Sequence, residues 1–257
     1  MNTLEYVVER SIVIRAGREE VFRYFTDSER FAAWWGAGSR IEPRPGGAVL
    51  IRYPNAVTAS GKVIELTEPE RVVFTYGYDG PGPAIEPGGS RVTVTLTSEP
   101  GGTRVHLRHE VPSSAVRDEH VQGWRYQMAV FANVVSRERH AQETAHADRF
   151  FAVWNEKDPA RRRAELSGIA AESLVFLDGF SCTSGIEDLA DHIGAAQFFM
   201  PGMEMRRRGD LRSCQGTALC EWSALGPDGA EKAHGSDVFD FGADGRIVRV
   251  VGFWNQG

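Results

Sequence analysis

The chain has 257 residues, 42% of them hydrophobic and 25% charged, with Gly and Pro placed as punctuation and no low-complexity tract. That length suits two domains, each able to bury a core of its own. A formal charge of −6 and the shortness of the basic runs Arg161 to Arg163 and Arg206 to Arg208 leave no broad electropositive surface, so a nucleic-acid partner is not expected and both runs read as solvated faces.

The opening MNTLEYVVERSIVIR interrupts every apolar stretch with an acid or an arginine, which no signal-peptide core does, and no later segment reaches the about 18 apolar residues of a membrane span. The expectation is a cytoplasmic protein without membrane association. Cys182, Cys214 and Cys220 form no CxxC pair and read as reduced thiols.

Tyr6 to Ile14 reads as a strand, and Arg18 to Trp35 as two short helices broken at Asp27-Ser28, with Ser28 as N-cap. The period then changes to two. GGAVLIRY, GKVIEL, RVVFTYGY, RVTVTLTS and TRVHLRHEV are strand runs divided by turns such as Pro45-Gly46-Gly47 and Pro100-Gly101-Gly102, predicting an antiparallel meander. From Ser113 the pattern is helical: Val121, Trp124, Met128, Phe131 and Val135 make one apolar stripe that packs on the sheet. Alternation puts Val72, Phe74, Tyr76 and Tyr78 on one face of a strand, and Val105, Leu107 and His109 on one face of another. Tyr76, Tyr78, His109, Trp124 and Met128 are therefore candidate cavity liners, a filled core being the alternative. His106 and His109 point to opposite faces, so they form no metal pair; no phosphate-binding loop is present either, and neither metal nor cofactor is expected.

After the polar stretch RERHAQETAHADR the order restarts, dividing the chain into residues 1–140 and 141–257. Helices are predicted over Ala147 to Lys157, Pro159 to Ser167 and Ile186 to Phe199, and a strand over Ser173 to Leu177. Four further strands follow, with Gly226-Pro227-Asp228-Gly229 and Ala243-Asp244-Gly245 as turns. In GSDVFDFGADGRIVRVVGFW, Asp237 shares a strand face with Phe239 and Phe241. A carboxylate in that position is costly to desolvate unless protonated, hydrogen-bonded or paired, and burial raises its pKa, so Asp237 is a candidate neutral donor or acid. Hydrogen bonding inside a filled core is the structural alternative. His192 lies beside the apolar stripe Ile186, Leu189 and Ile193 as a rim histidine; Trp222 and Trp254 are candidate walls, while Trp154 and Phe198-Phe199 cover the sheet or a dimer face.

TDSERFAAWWG, RPGG, VIELTEPERVVFTY and RDEHVQGWRYQMAVF, in that order, resemble the heat shock protein 90 ATPase activator-like branch of the SRPBCC (START-like, helix-grip) superfamily over about residues 1–140. The resemblance implies a cavity between a concave sheet and a long C-terminal helix, holding an apolar or amphipathic small molecule. FFAVWNEKDPARRRAEL, LVFLDGFSCTSGIEDLADHI and GSDVFDFGADGRIVRVVGFW resemble the SnoaL-like, nuclear transport factor two-like superfamily, which includes ketosteroid isomerase. This implies a cone-shaped α+β scaffold. It also implies a general-base position at Asp178, an acidic hydrogen-bond donor at Asp237, and Phe150 where the isomerase has a tyrosine hydroxyl.

The expected class is thus α+β in two domains, a helix-grip unit followed by a cone. Two functions are expected of it: a two-domain binder of a small hydrophobic or polyketide-like ligand, acting as carrier, sensor or stress-linked accessory protein without chemistry; or an isomerase, cyclase or dehydratase using Asp178 as base and Asp237 as donor. Phe150, Trp222, Trp254 and His192 are the expected ligand contacts in the second domain, and its sheet is the expected face of a homodimer.

Overall fold

The computed structural model describes residues 4–255. The chain divides into two compact units between Val135 and Ser136. Both are α+β.

The first unit runs β1 (Tyr6–Ile14), α1 (Arg18–Arg23), α2 (Ser28–Trp35), β2 (Arg40–Ile41), β3 (Ala48–Arg52), β4 (Thr58–Thr67), β5 (Arg71–Tyr76), β6 (Ser90–Glu99), β7 (Gly102–Val111) and α3 (Ser114–Arg139), whose last turn counts with the second unit. Its seven strands are ordered β1-β7-β6-β5-β4-β3-β2, antiparallel throughout. The helical stripe is as read: Trp124, Met128, Phe131 and Val135 are buried with Val72, Phe74, Val105 and Leu107 in one core. This is a helix-grip layer, in which a sheet with one apolar face closes against a helix with one apolar stripe. The cap of α2 differs from the expectation. Asp27 is the N-cap, accepting from Glu29 N–H at 2.8 Å and Arg30 N–H at 3.1 Å, while Ser28 Oγ donates to Ile41 O. A carboxylate is the better partner for the positive end of a helix, and Ser28 is free to tie α2 to β2.

The second unit runs α4 (Glu143–Asn155), α5 (Pro159–Ile169), β8 (Ala170–Leu177), β9 (Cys182–Ser184), α6 (Ile186–Phe199), β10 (Glu204–Cys214), β11 (Thr217–Leu225), β12 (Glu231–Phe241) and β13 (Ile247–Trp254). The sheet order is β10-β11-β12-β13-β8-β9, and β8 joins β13 in parallel after the helices have crossed back. Phe150, Phe176, Leu189, Ile193, Phe239 and Phe241 belong to one buried core. Most of the polar stretch RERHAQETAHADR is helical, split between α3 and α4.

One basic run departs from the solvated-face expectation. Arg161 is exposed and Arg163 pairs with Glu187 and Asp191, but Arg162 is only 3% exposed. Its guanidinium donates to Ala190 O at 2.7 Å, to Glu156 O at 3.1 and 3.2 Å and to Gln197 Oε1 at 3.0 Å, joining α5 to α6. A fork of five donors suits converging carbonyls in a way composition alone does not announce.

Candidate functional site

Strand register places the two acids. β12 and β13 set Asp237 opposite Gly252, and β13 and β8 set Val251 opposite Leu177, so Asp178 follows one residue beyond that pair. Gly252 lies between the acids, and its missing side chain makes the room. A Cβ there would sit 3.1 Å from Asp237 Oδ1 and 3.2 Å from Asp178 Cβ. Gly235, opposite Trp222 in the β11–β12 register, clears space in the same way: a Cβ would meet Trp222 Cζ2 at 2.6 Å. Each glycine therefore admits a side chain from a neighbouring strand.

Different partners hold the two carboxyl groups. Asp178 opens the turn after β8; its Oδ1 accepts the Phe180 N–H at 2.8 Å and the Ser181 hydroxyl at 2.5 Å, and its Oδ2 accepts the Trp254 indole N–H at 3.1 Å. Asp237 is 5% exposed and accepts the Trp222 indole N–H at 2.8 Å. Burial pushes the Asp237 carboxyl up to about 7; the indole bond acts against that rise and the charge of Asp178 adds to it. A carboxyl group held by three donors thus stands beside a desolvated one held by a single indole. Cys220 sits opposite Asp237 on β11, and burial, assisted by Asp237, pushes its thiol up to about 12, which removes it as a nucleophile.

Both acids open onto a cavity of about 720 Å³. Its wall includes Trp222 and Trp254 beside the acids, Trp154 and His192 from α4 and α6, Phe176 from β8, and Met200, Met203 and Met205 toward β10, with Phe180 and Phe199 at the rim. Trp154, expected to cover the sheet or a dimer face, instead faces the cavity, where its ring lies 6.0 Å from that of His192. Phe150 is absent from this wall. It is fully buried, with its ring 5.3 Å from Phe239 and 5.9 Å from Phe151, packed among phenylalanines of the core. Met205 is not singled out by the sequence pattern, since β10 is otherwise largely arginines and polar residues with no apolar face to read, and Met203 lies just before it.

The first unit holds a smaller cavity of about 360 Å³, lined by Trp35, Tyr53, Tyr76, Tyr78, His120, Trp124 and Tyr126 among others. Tyr76, Tyr78 and Trp124 are where alternation and the helical stripe put them. His109 and Met128 are not in the wall. Met128 is core, and both nitrogens of His109 are committed: Trp124 Nε1–H donates to Nδ1 at 3.0 Å, and Nε2 lies 2.7 Å from Ser90 Oγ. Ser90's own hydrogen goes to Tyr76 O at 2.7 Å, so His109 carries its proton on Nε2. Burial, with His120 nearby, holds this imidazole down at about 3. Tyr53 and His120 could have been found by the same alternation rule, but only with the partner strand and helix register known.

Among the described residues, no group of three or more His, Cys, Asp or Glu side chains is arranged to hold a metal ion, and no helix is long and apolar enough to cross a membrane.

Residues 15–136 match the family model described as Activator of Hsp90 ATPase homolog 1-like protein. Solved structures resembling parts of the chain fall into two groups. A protein of the SnoaL-like family from Agrobacterium tumefaciens str. C58 is 31% identical, over 45% of this chain and 99% of its own length, with a TM-score of 0.44. An AHSA1-like protein from Rhizobium etli is 31% identical, over 51% of this chain and 81% of its own, with a TM-score of 0.42. The Aha1 dimer from Colwellia psychrerythraea is 16% identical, over 51% of this chain and 96% of its own, with a TM-score of 0.43. No curated protein matches the chain.

Proposed function

We propose that each domain binds a small, largely apolar molecule and that the C-terminal cavity also moves a proton on a carbonyl-bearing guest. The observation that carries this reading is the pair Asp178 and Asp237, set either side of Gly252 on the wall of one 720 Å³ void. That volume is about five times the ~150 Å³ cavity that accommodates benzene, which suits a fused-ring or folded-chain molecule.

The chemistry follows from the two environments. Asp178, as the anion, takes a proton from the carbon beside the carbonyl, and the C–H electron pair moves into the bond toward the carbonyl carbon. The oxygen that gains charge accepts a hydrogen bond from protonated Asp237, in a wall with little competing water. Return of the same proton from Asp178 to a different carbon gives an isomer, with no change in oxidation state. Trp222 and Trp254 hold the two acids in register.

A second reading, carriage without chemistry, draws on Phe150 and on the three donors to Asp178. The first offers no hydroxyl to share the charge on a substrate oxygen, and the donors occupy carboxylate lone pairs that a base would turn toward a guest C–H. Thermal-shift screening of apolar ketones against wild type, Asp178→Asn and Asp237→Asn, followed by mass spectrometry of the recovered ligand, separates the two. Stabilisation of all three proteins, with most product from the wild type, less from Asp237→Asn and none from Asp178→Asn, supports the proton-transfer reading; a ligand recovered unchanged from the wild type leaves a carrier.

A second copy of the chain is the partner assigned to the outer face of the C-terminal sheet. There Leu219, Val238, Val251 and Leu177 stand opposite one another across four strands, each half-buried. A solution mass of two chains supports that assignment, and a mass of one chain removes it.

A further inference from the structure

The N-terminal cavity differs from the C-terminal one in size and in chemistry. At about 360 Å³ it holds half the volume. Six aromatic side chains line it, and no Asp, Glu, Lys or Arg does.

The polar tips in that wall form a row. His120 donates Nδ1–H to Val116 O at 2.8 Å, and its Nε2 faces the Tyr78 hydroxyl at 3.2 Å, placed to accept that hydrogen. Tyr76 is the next member and interacts with Tyr78. Tyr53 ends the row, its oxygen 2.7 Å from that of Tyr76. Burial raises the pKa of both Tyr53 and Tyr76, so the pair stays phenolic at any ordinary pH. Two hydroxyl hydrogens serve a single bond between Tyr53 and Tyr76. If Tyr76 donates to Tyr53, the Tyr53 hydrogen is left for a guest; if Tyr53 donates to Tyr76, the Tyr76 hydrogen turns to Tyr78 and the Tyr53 oxygen is left to accept. Either way the row presents one uncharged hydroxyl terminus.

We infer that the N-terminal cavity selects a neutral, flat aromatic molecule of two or three rings that carries a hydroxyl or carbonyl oxygen, and that Tyr53 is the residue that reads this oxygen. The inference rests on the reading that the cavity binds a small apolar molecule, and it adds the ligand class and the residue that sets it. The size limit follows from the volume, a little over twice the ~150 Å³ that holds benzene. The charge limit follows from the wall: an anion would be desolvated among rings with no cation to meet it.

The test is an NMR titration of the full chain with naphthalene, naphthol and naphthoate. The indole N–H signals of Trp35 and Trp124 report this cavity, and those of Trp222 and Trp254 report the other. Naphthol is expected to bind about three- to tenfold tighter than naphthalene at Trp35 and Trp124, the range of one net hydrogen bond, with naphthoate weakest. Tyr53→Phe is expected to bring naphthol down to naphthalene while leaving naphthalene unchanged, and that unchanged affinity also shows the cavity intact. Equal binding of naphthol and naphthalene by the wild type, or a preference for naphthol that survives in Tyr53→Phe, overturns the assignment while leaving the apolar pocket standing. Naphthoate binding as tightly as naphthol overturns it too. So does tetramethylammonium binding tighter than naphthol, which would make the wall a cage for cations. If no aromatic probe moves these signals, the pocket reading itself fails.

Discussion

The indole rings of Trp222 and Trp254 meet edge to face with centroids 5.0 Å apart, and each gives its N–H to a different carboxyl group, Trp222 to Asp237 and Trp254 to Asp178. Two acids, Asp237 on β12 and Asp178 in the turn after β8, are thus fixed by two side chains that pack against each other. Substitution at either tryptophan should be felt at both carboxyl groups, because the rings share one contact.

Asp237 makes the folded C-terminal domain sensitive to pH in a defined direction. Its carboxyl is raised from 3.8 to about 7, so the folded state holds the proton more tightly than the unfolded state. The stability that depends on this proton is complete below about pH 4 and is lost as pH rises through about 7. The whole change is on the order of 4 kcal/mol. Asp237→Asn removes it. Relative to wild type, the variant should gain stability steadily from pH 4 to pH 8, as read by urea unfolding at a series of pH values. A difference independent of pH would show that Asp237 ionises freely in the fold.

His109 sets the opposite slope in the N-terminal domain. Folding holds its imidazole down from 6.5 to about 3, so the unfolded chain takes up the proton first. Its contribution is complete above about pH 6.5 and is lost as pH falls toward 3. His109→Gln should be less stable at neutral pH, since it disturbs the Trp124 and Ser90 bonds, yet should unfold with a weaker acid dependence. Calorimetry that follows the two unfolding transitions from pH 7 to pH 4 checks this, and an unchanged acid slope would contradict it.

Gly252→Ala should cost about 1–3 kcal/mol, because the added methyl enters space bounded by Asp237 Oδ1 at 3.1 Å and Asp178 Cβ at 3.2 Å. It should also force the acids apart, abolishing any proton transfer while a ligand still stabilises the variant. Thermal unfolding with and without ligand separates the two effects. Wild-type stability and turnover would mean that the gap between the acids is not needed.

These residues differ in how far the sequence exposes them. Asp237 was legible because strand alternation alone puts it in line with Phe239 and Phe241, and a carboxylate among phenylalanines demands a reason. Gly252 was not, since its meaning lies in the register of β13 against both its hairpin partner β12 and β8, which is distant in sequence. The same limit explains His109: alternation turns it inward, but only the docking of α3 decides that Trp124 and Ser90 take both of its nitrogens. Phe150 occupies the position that the isomerase resemblance matched, and local packing makes it core. Arg162 is hidden inside a run whose composition says solvent, and only the carbonyls of Glu156 and Ala190 converging on it reveal a buried fork.

Arg162→Met should destabilise the C-terminal domain by about 3 kcal/mol, because the carbonyls of Glu156 and Ala190 and the side chain of Gln197 lose their common donor. Arg162→Lys should recover little of this, since an ammonium cannot span the same acceptors. Denaturant unfolding of both variants checks it. A loss below about 1 kcal/mol in Arg162→Met would mean that these groups find water or other partners.

The central claim is that Asp178 and Asp237 act together on a guest inside the C-terminal cavity, and hydrogen–deuterium exchange on the guest itself tests it most directly. A fused-ring ketone that stabilises the protein is incubated in deuterated water and weighed by mass spectrometry. Wild type should place deuterium beside the carbonyl well above the protein-free rate, Asp178→Asn should fall to that background, and Asp237→Asn should lie between. Bound ketone that gains no deuterium beyond the protein-free control, or gains it equally with Asp178→Asn, would contradict the claim.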